Sequence, residues 1–167
     1  LGDLDVVIVV LFTFALEKDV PDVDGGVILM FKALDIARMA IGTVAKAAAK
    51  VPVVDSRFHI NDRLNGPWPE GPFLWLHGAS LGECKMLLNL AKFLREDIEN
   101  CPKILLTTQK TEVLHFIKES GCDVESCIAP ADTPAAMKNF LAAVKPAALI
   151  LGENELWPGY LSTMRRL

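Results

Sequence analysis

From Pro72 onward short apolar runs alternate with helical patterns, and this alternation constrains the fold more than any other feature of the sequence. Phe73–His77 is an apolar run bounded by Pro72 and Gly78, which reads as a strand. A helix is expected over about Leu81–Glu99, with Met86, Leu87, Leu90, Phe93, Leu94 and Ile98 on one face. Lys103–Thr108 reads as the next strand, and Thr111–Glu119 as a helix stopped by Gly121. Asp123–Ala129 is a third strand. Thr133 then sits as an N-cap and Pro134 as the first residue of a helix that runs to Val144, before Pro146. Ala147–Gly152 is a fourth strand, with Glu153–Pro158 as the turn at its carboxyl end. Strands this apolar are buried on both faces. Joined through helices, they make a parallel sheet with right-handed crossovers. The expected fold class is therefore α/β, a three-layer Rossmann-like parallel sheet with helices on both faces.

The chain divides into residues 1–51, 52–71 and 72–167. Val6–Leu16 is apolar but shorter than the roughly 20 residues that cross a membrane. It reads as a buried strand or helix of the core, or as part of a membrane-contacting surface. Glu17–Gly26 is a polar turn. Val27–Val51 follows as a helix. Its apolar positions Val27, Met30, Leu34, Ala37, Ala40 and Ile41 recur at spacings of three and four. Lys32, Asp35, Arg38, Lys46 and Lys50 mark its polar side. Such a helix packs one face on a core, or lies on an anionic membrane. Val51–Gly71 is linker-like, with Pro and Gly breaking regular structure, and Arg57, His59, Asp62 and Arg63 fall on it as a surface loop. The strand pattern stops after four strands. The chain is therefore half of a two-domain protein, or a domain that borrows strands from residues 1–51.

The net charge of the 167 residues is -4, and no basic tract stands out, which argues against a nucleic-acid partner. The four cysteines form no CxxC pair and have no histidine at zinc-ligand spacing, so they read as buried free thiols and no metal is assigned. Neither GxGxxG nor GxxxxGK[ST] occurs. What does stand out is where the polar residues fall. His77, Ser80, Gly82 and Glu83 follow strand one, and Thr107, Thr108, Gln109 and Thr111 end or follow strand two. Asp132 follows strand three, and Glu153, Asn154 and Glu155 follow strand four. In a parallel sheet these carboxyl ends share one rim, where open α/β sheets bind ligands. Glu83 suits a general base for a hydroxyl, and equally a helix-start residue favoured by the helix dipole. Ser80 reads as an N-cap and His77 as a packed side chain. Glu153 and Glu155 alternate along one segment, so at most one faces the crevice.

These segments also resemble a known family. HGASLGE at His77–Glu83 is similar to the H-x-x-S-x-G-E motif of the 3-deoxy-D-manno-octulosonic acid (Kdo) transferases. TTQKT at Thr107–Thr111 resembles their Thr-rich segment, and PADTP at Pro130–Pro134, with Phe140-Leu141 and Lys145-Pro146, their P-x-D-x-P…F-L…P pattern. ENELWP at Glu153–Pro158 resembles E-x-E-L-W-P, and Asp62–Gly66 the E-R-L-G that precedes the first motif. Gln109, Lys110, Asn154 and Gly159 depart from the pattern. The resemblance implies the N-terminal, acceptor-binding half of a GT-B glycosyltransferase. Such an enzyme transfers Kdo from CMP-Kdo to a lipid A precursor at the cytoplasmic face of the bacterial inner membrane. It implies inversion, with Glu83 as general base, and no metal or other cofactor. It implies supporting or acceptor-binding places for His77, Ser80, Gly82, Thr107, Thr108, Asp132, Glu153 and Glu155. The donor-holding C-terminal domain is expected to be absent, leaving a fragment that binds acceptor at best. The alternative is a catalytically inactive binding or interaction domain.

Overall fold

The computed structural model describes residues 7–10, 26–52, 58–152 and 159–160. Ten elements follow in order: β1 (Val7–Val10), α1 (Gly26–Ala48), α2 (Ile60–Asn65), β2 (Phe73–His77), α3 (Leu81–Asp97), β3 (Ile104–Thr108), α4 (Thr111–Glu119), β4 (Glu125–Ile128), α5 (Pro134–Val144) and β5 (Pro146–Leu151). The sheet is fully parallel, in the order β1-β5-β2-β3-β4. A fifth strand is thus supplied by the apolar run at residues 6–16. Val7–Val10 lies beside Ala148–Leu151 of β5.

Two apolar layers follow from the two-residue period of the strands. Phe73, Trp75, Leu105, Leu149 and Leu151 point to one face, where Met137, Phe140, Leu141 and Val144 of α5 cover them. Leu76, Ile104 and Leu106 point to the other, against Cys84, Leu87, Leu88 and Ala91 of α3 and Val113 and Ile117 of α4. That the β2–β3 and β3–β4 crossovers share one face and the β4–β5 crossover takes the other is the right-handed solution. The strand order turns back between β2 and β5. The switch-point crevice therefore lies above His77 and Leu151.

Short devices fix the helix starts. Ser80 accepts from the Glu83 amide and Glu83 accepts from the Ser80 amide, a reciprocal capping box for α3. Thr133 caps α5 through the Ala136 amide, with Pro134 at the first helical position. Gly78 and Gly152 let α3 come close to the sheet. A Cβ at Gly78 would stand 3.1 Å from Cys84 Sγ, and one at Gly152 would stand 3.0 Å from Leu87 Cδ1.

This close approach rotates the buried stripe of α3. Met86, Phe93 and Ile98, expected to face the core, are exposed, while Cys84, Leu88 and Ala91 are buried. In α1 Lys46 and Lys50 are exposed as expected, but the expected polarity fails nearer the middle of the helix. Arg38 is only 6% exposed, and Ile41, with Met39 and Val44, faces outward. The contact face runs through Arg38 and Gly42, because a Cβ at Gly42 would already meet Thr133 Cγ2 at 3.3 Å. Small residues let the helix backbone approach α5, and an ion pair described below holds it there. The stretch 52–71 carries α2, which packs on α1 and α5 with Leu64 buried.

Candidate functional site

The rim is built from the turns that leave β2, β3 and β4. At the end of β2 the chain turns through Gly78 and Ala79 into α3. Glu83 Oε2 accepts from the backbone N–H of Ala79 at 2.8 Å and of Ser80 at 3.0 Å. The Glu83 amide donates to Ser80 Oγ at 3.2 Å. The carboxylate is half-buried and held at the switch point by main chain, and its second oxygen makes no hydrogen bond with the described residues. Gly82 is exposed, and a Cβ there would meet nothing closer than Ser80 Oγ at 3.9 Å. Folding does not require a glycine at that position; its bareness leaves room over the first turn of α3.

Beneath this turn lies a buried polar network. His77 and Thr107 are fully buried neighbours on β2 and β3. Thr107 Oγ1 accepts from Trp75 Nε1 at 2.8 Å and shares a 2.9 Å hydrogen bond with His77 Nδ1. The His77 ring also meets the Tyr160 ring edge-on at 5.4 Å, and the Tyr160 hydroxyl donates to Pro130 O at 2.9 Å. Thr108 is equally buried. In this geometry His77, Thr107 and Thr108 support the rim from below. Thr107→Val is expected to lower the unfolding free energy by about 1–3 kcal/mol for each donor left unpaired. A shifted urea midpoint with an unchanged m-value would show it.

Asp132, at the end of β4, is a junction. Its Oδ1 pairs with Arg38 Nη2 at 3.0 Å, its carbonyl accepts from Arg38 Nε at 3.1 Å, and its Oδ2 accepts from the Gly159 amide at 3.4 Å. A side chain at residue 159 would collide with both partners of this pair. Glu153 and Glu155 lie outside the described residues.

Sequence reasoning placed His59, Asp62 and Arg63 on a surface loop and missed their link to the rim. His59 Nε2 and Thr111 Oγ1 share a 2.7 Å hydrogen bond, and His59 Nδ1 lies 3.3 Å from Asp62 Oδ2. Arg63 donates through Nη1 to Gln109 Oε1 at 3.2 Å and through Nη2 to Gln109 O. Together α1, α2 and the β3–α4 turn border a solvent-open pocket of about 570 Å³ beside the rim. The signal that could have found it was Asp62–Gly66, whose resemblance to a family motif marked the stretch as more than a linker. Cys127 is a free thiol whose pKa burial pushes up to about 12, so it stays protonated at neutral pH.

A family model for 3-deoxy-D-manno-octulosonic-acid transferase (kdotransferase) matches residues 52–167. The chain is 36% identical over 94 residues to a probable mitochondrial 3-deoxy-D-manno-octulosonic acid transferase of Arabidopsis thaliana, covering 56% of this chain and 21% of that protein. It is 34% identical over 90 residues to a 3-deoxy-D-manno-octulosonic acid transferase of Aquifex aeolicus (53% and 24%). Against one from Chlamydia pneumoniae it is 25% identical over 170 residues (98% and 32%). The aligned part thus spans between a fifth and a third of the length of these curated relatives.

Proposed function

The chain belongs to the Kdo transferase family of glycosyltransferases, and on that footing we propose that it forms the acceptor-binding half of a GT-B enzyme that transfers Kdo from CMP-Kdo to a lipid A precursor. The observation that carries this reading is the Glu83 carboxylate, fixed at the switch point by two main-chain donors. As an acceptor hydroxyl attacks the anomeric carbon of Kdo, Glu83 takes its proton. The bond from that carbon to the phosphate oxygen breaks on the opposite side, CMP leaves, and the configuration inverts. A base already in position contributes typically about 10²–10⁴-fold. Ser80 holds the turn, Gly82 leaves space for the acceptor, and His77, Thr107 and Thr108 stiffen the strand ends below. The cavity beside the rim lies within the roughly 300–1,000 Å³ of ligand pockets and suits a sugar. Transfer of Kdo from CMP-Kdo to a lipid A precursor by the full-length protein is the test. An intact protein with no transfer would favour the alternative, a binding domain without catalysis.

The outer face of α1 supports a membrane partner. Ile41 and Val44, three residues apart and so on one side of the helix, are 60% and 69% exposed, and Lys46 and Lys50 are also exposed. Among the described residues no helix is long and apolar enough to cross a membrane, so the contact proposed is an interfacial one, at the cytoplasmic face of the bacterial inner membrane. Changing Ile41 and Val44 together to Glu is expected to cut flotation with anionic vesicles more than about tenfold, given roughly 1.5–3 kcal/mol for each large apolar side chain buried. Undiminished flotation would rule out this face.

A further inference from the structure

His59 and Thr111, which line the pocket between α1, α2 and the β3–α4 turn, are joined in a way that sugar transfer does not need. Thr111 Oγ1 lies 2.7 Å from His59 Nε2, and Nδ1 of the same ring lies 3.3 Å from Asp62 Oδ2. An ionised carboxylate only accepts. Asp62 therefore selects the tautomer with its proton on Nδ1 and leaves Nε2 as an acceptor for the Thr111 hydroxyl. Hydroxyl, imidazole and carboxylate linked in this order are the nucleophile, base and orienting group of acyl transfer, an arrangement recognised by geometry and not by place in the chain. Neither the hydroxyl nor the ring serves its own helix. Thr111 is the first residue of α4, whose N-cap Lys110 makes no side-chain cap, and the Thr111 hydroxyl meets His59. His59 precedes α2, makes no side-chain cap there, and has φ 50°, in the left-handed region that is uncommon for a residue with a Cβ. Such a conformation persists where surrounding contacts fix it. All three residues are half-buried.

We propose that Thr111, His59 and Asp62 form a second catalytic centre, which hydrolyses carboxylic esters through an acyl-enzyme. His59 Nε2 takes the hydroxyl proton as Thr111 Oγ1 adds to the ester carbonyl. The first amides of α4 have no partner within the helix, and those of Glu112 and Val113 donate to the oxyanion that forms. The bond from the carbonyl carbon to the alcohol oxygen then breaks. The alcohol leaves with the proton held by His59, and the acyl group stays on Thr111. Water adds to this second ester, passing a proton to His59. The acid leaves, and Thr111 recovers its hydroxyl proton. One ester and one water give one acid and one alcohol. A small apolar acyl group suits the wall made by Ala45, Phe58 and Ile60, and the open side of the pocket admits water. None of the groups assigned to sugar transfer takes part, so this activity lies beyond that reading.

The test uses p-nitrophenyl acetate with the full-length protein. It reads the release of p-nitrophenolate and the mass of the peptide that carries residue 111. A burst followed by steady turnover is expected, with an acetyl group on Thr111 during turnover. Thr111→Val is expected to abolish the burst and the acetyl group, and His59→Gln to slow the burst by about 10²–10⁴-fold. Asp62→Asn offers the ring an N–H and disfavours the required tautomer, so a loss of up to about 10⁴-fold is expected. Thr111→Ser keeps a hydroxyl and is expected to keep both burst and acetylation. Acetylation of residue 111 is a readout that a merely structural tie between α2 and α4 would not give, and melting curves show which variants stay folded. Wild-type protein that releases p-nitrophenolate no faster than buffer would overturn the proposal whatever the variants do. So would an acetyl group on the neighbouring Lys110 in place of Thr111, or an undiminished burst in folded His59→Gln.

Discussion

Glu83→Gln in the full-length enzyme is expected to lower kcat by about 10²–10⁴-fold while leaving thermal stability close to wild type. The two halves of this expectation come from different chemistry. Glu83 is the third residue of α3, and its Oε2 accepts from the amides of Ala79 and Ser80. Glutamine keeps an amide oxygen of the same reach and serves a capping box as glutamate does, so the turn survives. It cannot accept the acceptor's proton, so the base is lost. Glu83→Ala removes both and adds a capping loss of about 0.5–2 kcal/mol. Ser80→Ala is the complementary control: it removes the acceptor of the Glu83 amide and leaves the carboxylate. Steady-state kinetics beside melting curves separate the outcomes. If Glu83→Gln turned over at near the wild-type rate, the residue would be a helix cap only and the mechanism above would fail.

Arg38→Ala is expected to cost about 3–5 kcal/mol of stability, a large part of what a domain of this size possesses. The loss is not the strength of one surface pair. Arg38 and Asp132 side chains are 8% and 13% exposed, and removing the guanidinium leaves a carboxylate in a site made to neutralise it. Arg38 also donates to the Asp132 carbonyl, so the β4–α5 turn loses its tie to α1. Arg38→Met with Asp132→Leu is expected to lose far less, since replacing both charges by apolar groups avoids the unpaired carboxylate. Gly159→Ala is destabilising for a related reason, because its methyl group would enter the space the pair fills. In an Arg38→Ala background that penalty shrinks, and a double-mutant cycle in urea reads the coupling. Additive losses would show that Gly159 and Arg38 do not share the site in solution.

The parallel sheet was legible from local signals. The strand at Phe73–His77 and the helices at Thr111–Glu119 and Pro134–Val144 begin and end where expected, because proline, glycine and caps punctuate them. The convergence of His77, Ser80, Glu83, Thr107 and Asp132 on one rim followed from strand order alone. Which of them could meet a ligand did not. His77 and Thr107 are taken up by Trp75 and Tyr160, contacts made across strands and from residues far apart in sequence. The polarity of α1 was misread for the same reason. Alanines and a glycine left its apolar stripe ill-defined, and a partner 94 residues away turned Arg38 inward.

By itself the sequence determined an α/β sheet with its polar residues gathered at one edge, and it determined the family, since apolar period, caps and motifs are local properties. Only the tertiary structure decided that α1 docks through a buried ion pair, that Val7–Val10 completes the sheet beside β5, and that Arg63 of a supposed linker faces a cavity at the rim. Those choices depend on which charges find partners when distant segments pack. Burying an ion without a partner costs several kcal/mol, and no single stretch of chain carries the information about where its partner will be.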